Sequence, residues 1–194
     1  MVRFAQIVAL GAAASVALAQ NPPVPRGAAT ATVRGKQILV DYGRPSLKGR
    51  ALDDLLAKLG PDRIWRAGAN QVTTLNTELD LSIAGKKLPA GKYSLYVYAP
   101  QTGGWQLALN TDPGIELIKI YPQAPAVVAH ALWPRLDGYG KIADKEVLRV
   151  PLQSGTASPA VDPFTITLEP GGGGATLKLQ WGDKSWSARM KAAS

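Results

Sequence analysis

Cysteine is missing from this 194-residue chain. Disulfide staples, thiolate nucleophiles and thiolate-bound metals are therefore excluded. Histidine is almost missing as well: His130 stands alone. A zinc site would then need mostly carboxylates, an unusual donor set for zinc, and no alternating Asp/Asn loop of the calcium-binding kind occurs. No metal and no cofactor is expected. Beyond the first twenty residues no apolar run approaches the ~20 residues of a spanning helix, so no stable membrane insertion is expected. Runs of like charge are also lacking. The formal charge is +8, yet the only adjacent basic pair is Lys86-Lys87, and no Lys/Arg stripe is interleaved with stacking aromatics. A basic balance favours anionic partners, but a phosphate-tracking footprint is missing, and nucleic acid is not expected as a partner.

Catalytic motifs are equally sparse. No strand–Ser–helix nucleophile elbow appears. The four glycines at 171–174 lack the Lys-Ser/Thr and the helix of a phosphate loop, and read as a flexible connection. His130 lies among Val127, Val128, Ala129, Ala131, Leu132 and Trp133, an apolar setting that suits a structural histidine better than a general base. No residue is assigned a catalytic role.

The N-terminus carries the first positive feature. Arg3, an apolar stretch from Ile7 to Ala19 and the small-residue ending Ala17-Leu18-Ala19 have the layout of a secretory signal peptide cut after Ala19. The organisation expected is a signal peptide over 1–19, a disordered segment over 20–27, and one domain over 28–191. The processed chain of about 175 residues is long enough for one sizeable core. Export to a periplasm or the medium follows from the leader.

The body reads as short strands separated by turn residues. Residues 28–33 and 37–42 flank Arg34-Gly35-Lys36 as a hairpin. In 78–83, Leu79, Leu81 and Ile83 share one face, Glu78, Asp80 and Ser82 the other; Ala84-Gly85-Lys86-Lys87 then turns. In 92–98, Tyr93, Leu95 and Val97 point one way, and Lys92, Ser94, Tyr96 and Tyr98 the other. Further strands are expected at 105–110, 146–152, 164–168, 176–181 and 185–190, the last two split by a tight turn at Gly182-Asp183-Lys184. One helix stands out at 51–59, where Leu52, Leu55, Leu56 and Leu59 form an apolar stripe with Asp53 and Asp54 in the first turn. The Pro- and Ala-rich stretch 121–139 is a long excursion between strands. The fold class is all-β: an antiparallel β-sandwich with one short amphipathic helix.

Chemistry concentrates in Trp65-Arg66-Ala67-Gly68-Ala69-Asn70. Gly68 permits positive φ and Asn70 can close an Asx turn, so the stretch reads as a corner with Trp65 plugged into the core. Arg66, beside a buried Trp, would be partly desolvated and in need of a partner, which leaves a ligand-facing role open. Arg44, Trp65, Arg66 and Asn70 form one candidate binding region. An exposed face of Tyr96 and Tyr98 beside Lys92 forms a second. Glu78 and Asp80, with Asp41, are the carboxylates a hydrolase would draw on.

Four motifs in order, VDYGRPSLKGR at 40–50, IWRAGANQVTTL at 64–75, LPAGKYSLY at 88–96, and VLRVPL at 147–152 ahead of FTITLEP at 164–170, resemble the bacterial exported family catalogued as domain of unknown function 2911. The resemblance implies a secreted or periplasmic β-sandwich without an established activity, and it supplies no catalytic residue. Three departures are visible. Gln71 replaces the acidic residue usual after the Asn of the Trp-Arg motif, the 52–59 helix is longer than the usual loop, and the excursion around His130 has no counterpart. The expectation is an exported binding module for an envelope glycan or other anionic polymer. The alternatives are a carboxylate-dependent hydrolase and a structural partner that pairs through a sheet edge.

Overall fold

Arg34 and Gly35 take positive φ, 51° and 74°, the two-residue turn geometry that matches strand twist. It joins β1, Arg26–Val33, to β2, Lys36–Gly43, in antiparallel register from Arg26↔Gly43 to Val33↔Lys36. A computed structural model describes residues 24–135 and 138–193. The expected signal peptide lies outside the described residues, whereas β1 begins inside the 20–27 segment expected to be disordered.

After β2 comes α1, Leu52–Leu56, a shorter helix than the stripe suggested. Leu52 and Leu56 are buried while Leu55 and Leu59 are half-buried against the core; Gly60 and Pro61 prevent continuation. β3, Ile64–Trp65, and β4, Thr74–Thr77, follow. The strand expected at 78–83 is broken: Thr77 Oγ1 donates to Leu79 O at 2.7 Å, and residues 78–80 carry the chain from one sheet to the other. β5, Leu81–Ile83, and β6, Lys86–Leu88, are joined by Ala84-Gly85 alone. The two lysines read as turn therefore belong to a strand.

β7, Gly91–Tyr98, and β8, Gln106–Asn110, pair side by side in the larger sheet. The excursion begins earlier and ends later than the expected 121–139: between β8 and the next long strand lie β9, Ile115–Glu116, α2, Leu117–Ile120, β10, Leu132–Trp133, and a 3-10 helix, Tyr139–Lys145. β9 and β10 pair with each other as a small ribbon. β11, Glu146–Pro151, returns to the sheet, and β12, Gln153–Gly171, and β13, Gly174–Ala192, complete the chain. The larger sheet has the order β1-β2-β4-β7-β8-β11, with β3 also on β7; the second has the order β12-β13-β5-β6.

β13 is not straight. Its nineteen residues would extend about 60 Å at the usual strand rise, yet Ala192 N–H donates to Gly173 O at 3.0 Å and Gly174 packs against Met190 and Lys191. The run doubles back at Gly182, φ 60°, where the sequence predicts a turn. The glycine loop at 171–174 is tight rather than flexible: Gly172 and Gly173 take positive φ and close the β12–β13 hairpin.

The two sheets face each other across one core. Val40, Leu75, Leu95 and Leu107 come from the larger sheet; Leu81, Phe164, Leu177 and Leu179 come from the smaller. The expected antiparallel sandwich is what forms. At its open end Trp65 stacks on Trp181 (5.6 Å between centroids, 14°) and meets Phe164 edge-on at 4.9 Å, so Trp65 is the core plug that its motif suggests. Asp162 locks this end. It accepts from Ser46 Oγ at 2.7 Å, Leu47 N–H at 2.9 Å and Trp181 Nε1 at 3.3 Å, while Phe164 N–H donates to Pro45 O at 2.9 Å.

Candidate functional site

Alternation along β7 holds, but its second face is not open to solvent. The strand is buried on both sides from Tyr93 to Val97, and Tyr96 is only 4% exposed. The expected exposed Tyr96/Tyr98 platform is therefore corrected. The excursion folds back over this outer face and builds a small second core from Tyr96, Ala108, Tyr139 and Ile142, with the Tyr96 and Tyr139 rings edge to face at 5.0 Å. A strand pattern of period two shows which residues share a face, not what later covers it.

Polar anchors hold the excursion in place. Asp112, 3% exposed, receives Arg135 Nε at 3.2 Å and has Lys145 Nζ at 3.7 Å. Its other oxygen accepts Gly114 N–H at 2.8 Å. Asn110 Nδ2 donates to Ile142 O at 2.7 Å, and Asp62 accepts Tyr139 N–H at 3.0 Å. Val72 N–H donates to Leu132 O at 3.0 Å, which ties the ribbon to the corner. Gly114, φ 94°, allows this approach: a Cβ there would meet Val72 Cγ2 at 2.7 Å and press into Trp133 O.

Between the 58–62 loop, β3, β7 and the excursion lies a cleft of about 610 Å³. Ile64, Trp65, Pro134 and Ile142 give it apolar walls, and Arg66, Tyr96 and Arg135 give it polar ones. Arg66 is half-buried, and among the described residues no carboxylate or hydrogen-bond acceptor engages its guanidinium. Burial pulls the Arg66 guanidinium below its ordinary value, while the nearby Tyr96 pulls it up. The Tyr96 hydroxyl is buried without a hydrogen-bond partner among the described residues. Neighbouring Ser94 donates its own proton to the carbonyls of Asn110 and Asp112. Burial pushes the Tyr96 hydroxyl above its ordinary range and the Asp112 carboxylate adds to the rise, while the adjacent Ser94 hydroxyl and the Arg66 and Arg135 cations act against it. Arg66, Arg135 and the exposed Lys58 thus face one space with a hydroxyl that is unmatched among the described residues, and of these cations Asp112 engages only Arg135.

Of the residues expected to bind, Trp65, Arg66 and Tyr96 meet here. Tyr98 lines the adjoining hollow, with the Arg149 guanidinium over its ring at 5.4 Å. Arg44 and Asn70 do not line the cleft. Arg44 turns toward β1 and β12: its N–H donates to Pro25 O at 2.8 Å and its guanidinium reaches Thr165 Oγ1 at 3.4 Å. Asn70 is exposed with φ 63° and serves the corner. That corner is architectural, because Thr73 Oγ1 donates to Ala67 O at 2.9 Å and Gly43 lies so close to Ala69 O that no side chain fits.

The carboxylates a hydrolase would use are dispersed. Asp41 pairs with Arg26. Asp80 takes Lys87 at 2.8 Å and Ala90 N–H at 2.9 Å. Glu78 accepts Gln37 N–H at 2.7 Å. His130 is exposed, not in an apolar site, and contacts Glu116 Oε1 at 3.0 Å; of its apolar sequence neighbours only Ala129 is buried, and Val127 is 92% exposed. Asp112, Arg135 and Tyr139 were not singled out by sequence. Asp112 reads only as a turn residue before Pro113-Gly114, and nothing in the spacing links Arg135 to Arg66.

A family model described as "Protein of unknown function (DUF2911)" matches residues 24–190. No curated protein and no solved structure matches the chain.

Proposed function

We propose that this chain, which belongs to the DUF2911 family of proteins of unknown function, is an exported binding module whose cleft takes the anionic group of a cell-envelope ligand. One observation carries the reading: among the described residues, no carboxylate pairs with the half-buried Arg66 guanidinium, and the buried Tyr96 hydroxyl beside it has no hydrogen-bond partner. A buried polar group left unmatched costs about 1–3 kcal/mol, and more if charged. Such an expense is offset when a ligand supplies the missing acceptor. A carboxylate or phosphate seated there accepts the Arg66 fork in bidentate fashion and the Tyr96 proton, with Arg135 as a second cation. The apolar walls at Ile64 and Pro134 hold the body of the ligand, the usual division of labour in a small-molecule pocket. The +8 formal charge favours encounter with anionic ligands.

Binding, rather than hydrolysis, is what the lining supports. Among the described residues the cleft presents one carboxylate, Asp62, and its oxygens already accept Tyr139 N–H and Ile64 N–H. The test is calorimetric titration of the processed protein with sugar acids and organic phosphates, alongside their neutral counterparts. The acids bind and the neutral compounds do not, and Arg66→Met weakens acid binding at least about tenfold, as expected for loss of a charge-assisted pair. Equal binding by wild type and Arg66→Met, or no acid bound at all, overturns the proposal.

A further inference from the structure

We infer that the ligand is a linear saccharide with its acid at one end and neutral, hydroxyl-bearing units behind it, lying in a groove that runs around the open end of the sandwich from Arg66 to Trp105. The inference rests on the anion reading of the cleft and extends it.

The cleft is not isolated. Its Leu59-Gly60-Pro61 wall is shared with a second hollow of about 510 Å³. That hollow shares Ala57, Arg63, Pro100 and Gln101 with a third of about 600 Å³. Each falls in the ~300–1,000 Å³ range of a small-ligand pocket, and three in a row suit a chain of units rather than one compact molecule.

Each segment offers an aromatic ring. Tyr98 lines the second hollow. At the far end Trp105 is half-exposed and backed by the buried Trp186, with rings parallel to 10° and centroids 4.1 Å apart. An indole held from behind is a rigid apolar platform with a polar edge, suited to the C–H face of a sugar ring. Gln101 and Ser154 supply hydroxyl-matching groups beside it.

Charge along the groove decides where the acid sits. Arg63 is committed to the carbonyls of Ala99 and Leu56, both at 3.0 Å. Lys184 is paired with Asp53. In the first hollow Lys58 is exposed at the rim and Arg135 is paired with Asp112, whereas the half-buried Arg66 has no counter-charge among the described residues. A polymer charged on every unit would lie against Asp62 and Asp53, which line the first and third hollows. A nucleic acid would need cations along its whole track. An extended peptide would take its affinity from main-chain pairing along one strand edge, whereas this groove is lined piecewise by α1, β3, β7, β12, β13 and the loops between them.

The experiment titrates a uronic acid alone, and the same acid at the end of chains of one, two and three neutral sugars, into wild type, Arg66→Met, Trp105→Ala and Gln101→Trp. Gln101 is exposed on a loop, so its Trp variant obstructs the groove without touching the core, should Trp105→Ala fold poorly. Affinity rises with chain length. Trp105→Ala or Gln101→Trp removes about three- to tenfold for the longest chain, the worth of one stacking contact, and leaves the free acid unchanged. Arg66→Met weakens every acidic probe. If the free acid binds through Arg66 but added sugars bring no gain, or the gain survives both groove variants, the groove inference is overturned and the anion cleft stands. If no acidic probe binds, both readings fall.

Discussion

The two faces of β7 carry opposite tasks. On the inner face Leu95 and Val97 are fully buried among apolar neighbours from both sheets, and the one polar atom there, Tyr93 Oη, donates to Pro89 O at 2.9 Å. On the outer face Ser94 and Tyr96 are as deeply buried, yet among the described residues Tyr96 Oη has no hydrogen-bond partner and Arg66 beside it has no counter-charge. What differs is the cover. A second sheet of alternating strands closes the inner face; a ribbon and a 3-10 helix held by Asp112, Asn110 and Asp62 close the outer one. A core made of matched layers has no room for unmatched polar groups. A cover pinned at a few polar points leaves a cleft, and in that cleft unmatched groups are useful.

The largest effect separates the two faces by stability. Phe164, fully buried, touches Tyr42, Trp65 and Trp181. Phe164→Ala should cost about 3–5 kcal/mol and lower Tm by roughly 10 °C in a domain of this size. Ile142→Ala, in the outer cluster, should cost nearer ~2 kcal/mol, because the excursion can settle into the space. Thermal melts that give equal losses would erase the distinction.

Next comes the cover itself. Gly114→Val introduces a side chain where Trp133 O and Val72 already lie, at a φ of 94°. The ribbon should detach at a cost of about 2 kcal/mol. Acid binding should vanish while the sandwich still melts cooperatively, as followed by calorimetry and hydrogen exchange. Exchange that speeds up in Leu95 and Val97 as much as in Leu132 and Trp133 would show that the two regions are one unit.

How much of this was legible follows the same divide. The Arg34-Gly35 and Gly182 turns, the face-sharing of Tyr93, Leu95 and Val97, and the burial of Trp65 all depend on neighbours within a few residues, and sequence periodicity reports those. The burial of Tyr96 depends on Tyr139 and Ile142, more than forty residues away on a segment without periodicity. Arg66 is suspect from sequence because a Trp neighbour implies desolvation. Arg135 and Asp112 are not, because their pairing exists only once the excursion is placed. The motif groups Arg44 and Asn70 with Arg66, but Arg44 reaches Thr165 instead, and neither residue lines the cleft.

A smaller effect concerns pH at the open end. Burial alone would raise the Asp162 carboxyl, but hydrogen bonds from Ser46, Leu47 N–H and Trp181 outweigh it and hold the group below its ordinary value. A carboxyl depressed on folding contributes stability that is fully present above its unfolded value, about 3.9, and is lost as pH falls through the folded one. Asp162→Asn should therefore melt below wild type at pH 7, and the gap should narrow as melts are taken down toward pH 3. A gap that widens in acid would contradict the assignment.

The smallest effect is also the one with inverted sign. Removing a buried group normally destabilises, and on the inner face that rule should hold at every position. On the outer face, Tyr96→Phe deletes a hydroxyl that has nothing to bond among the described residues, and Arg66→Met replaces an uncompensated guanidinium with an apolar chain of similar reach. Without ligand, each variant should be as stable as wild type or more stable by up to ~1 kcal/mol, since the unmatched group no longer has to be desolvated. With saturating acidic ligand the order should reverse, because wild type alone gains the full binding energy. Paired melts with and without ligand read both signs. A loss of stability in the unliganded variants would mean that Arg66 and Tyr96 serve the fold, as their inner-face neighbours do.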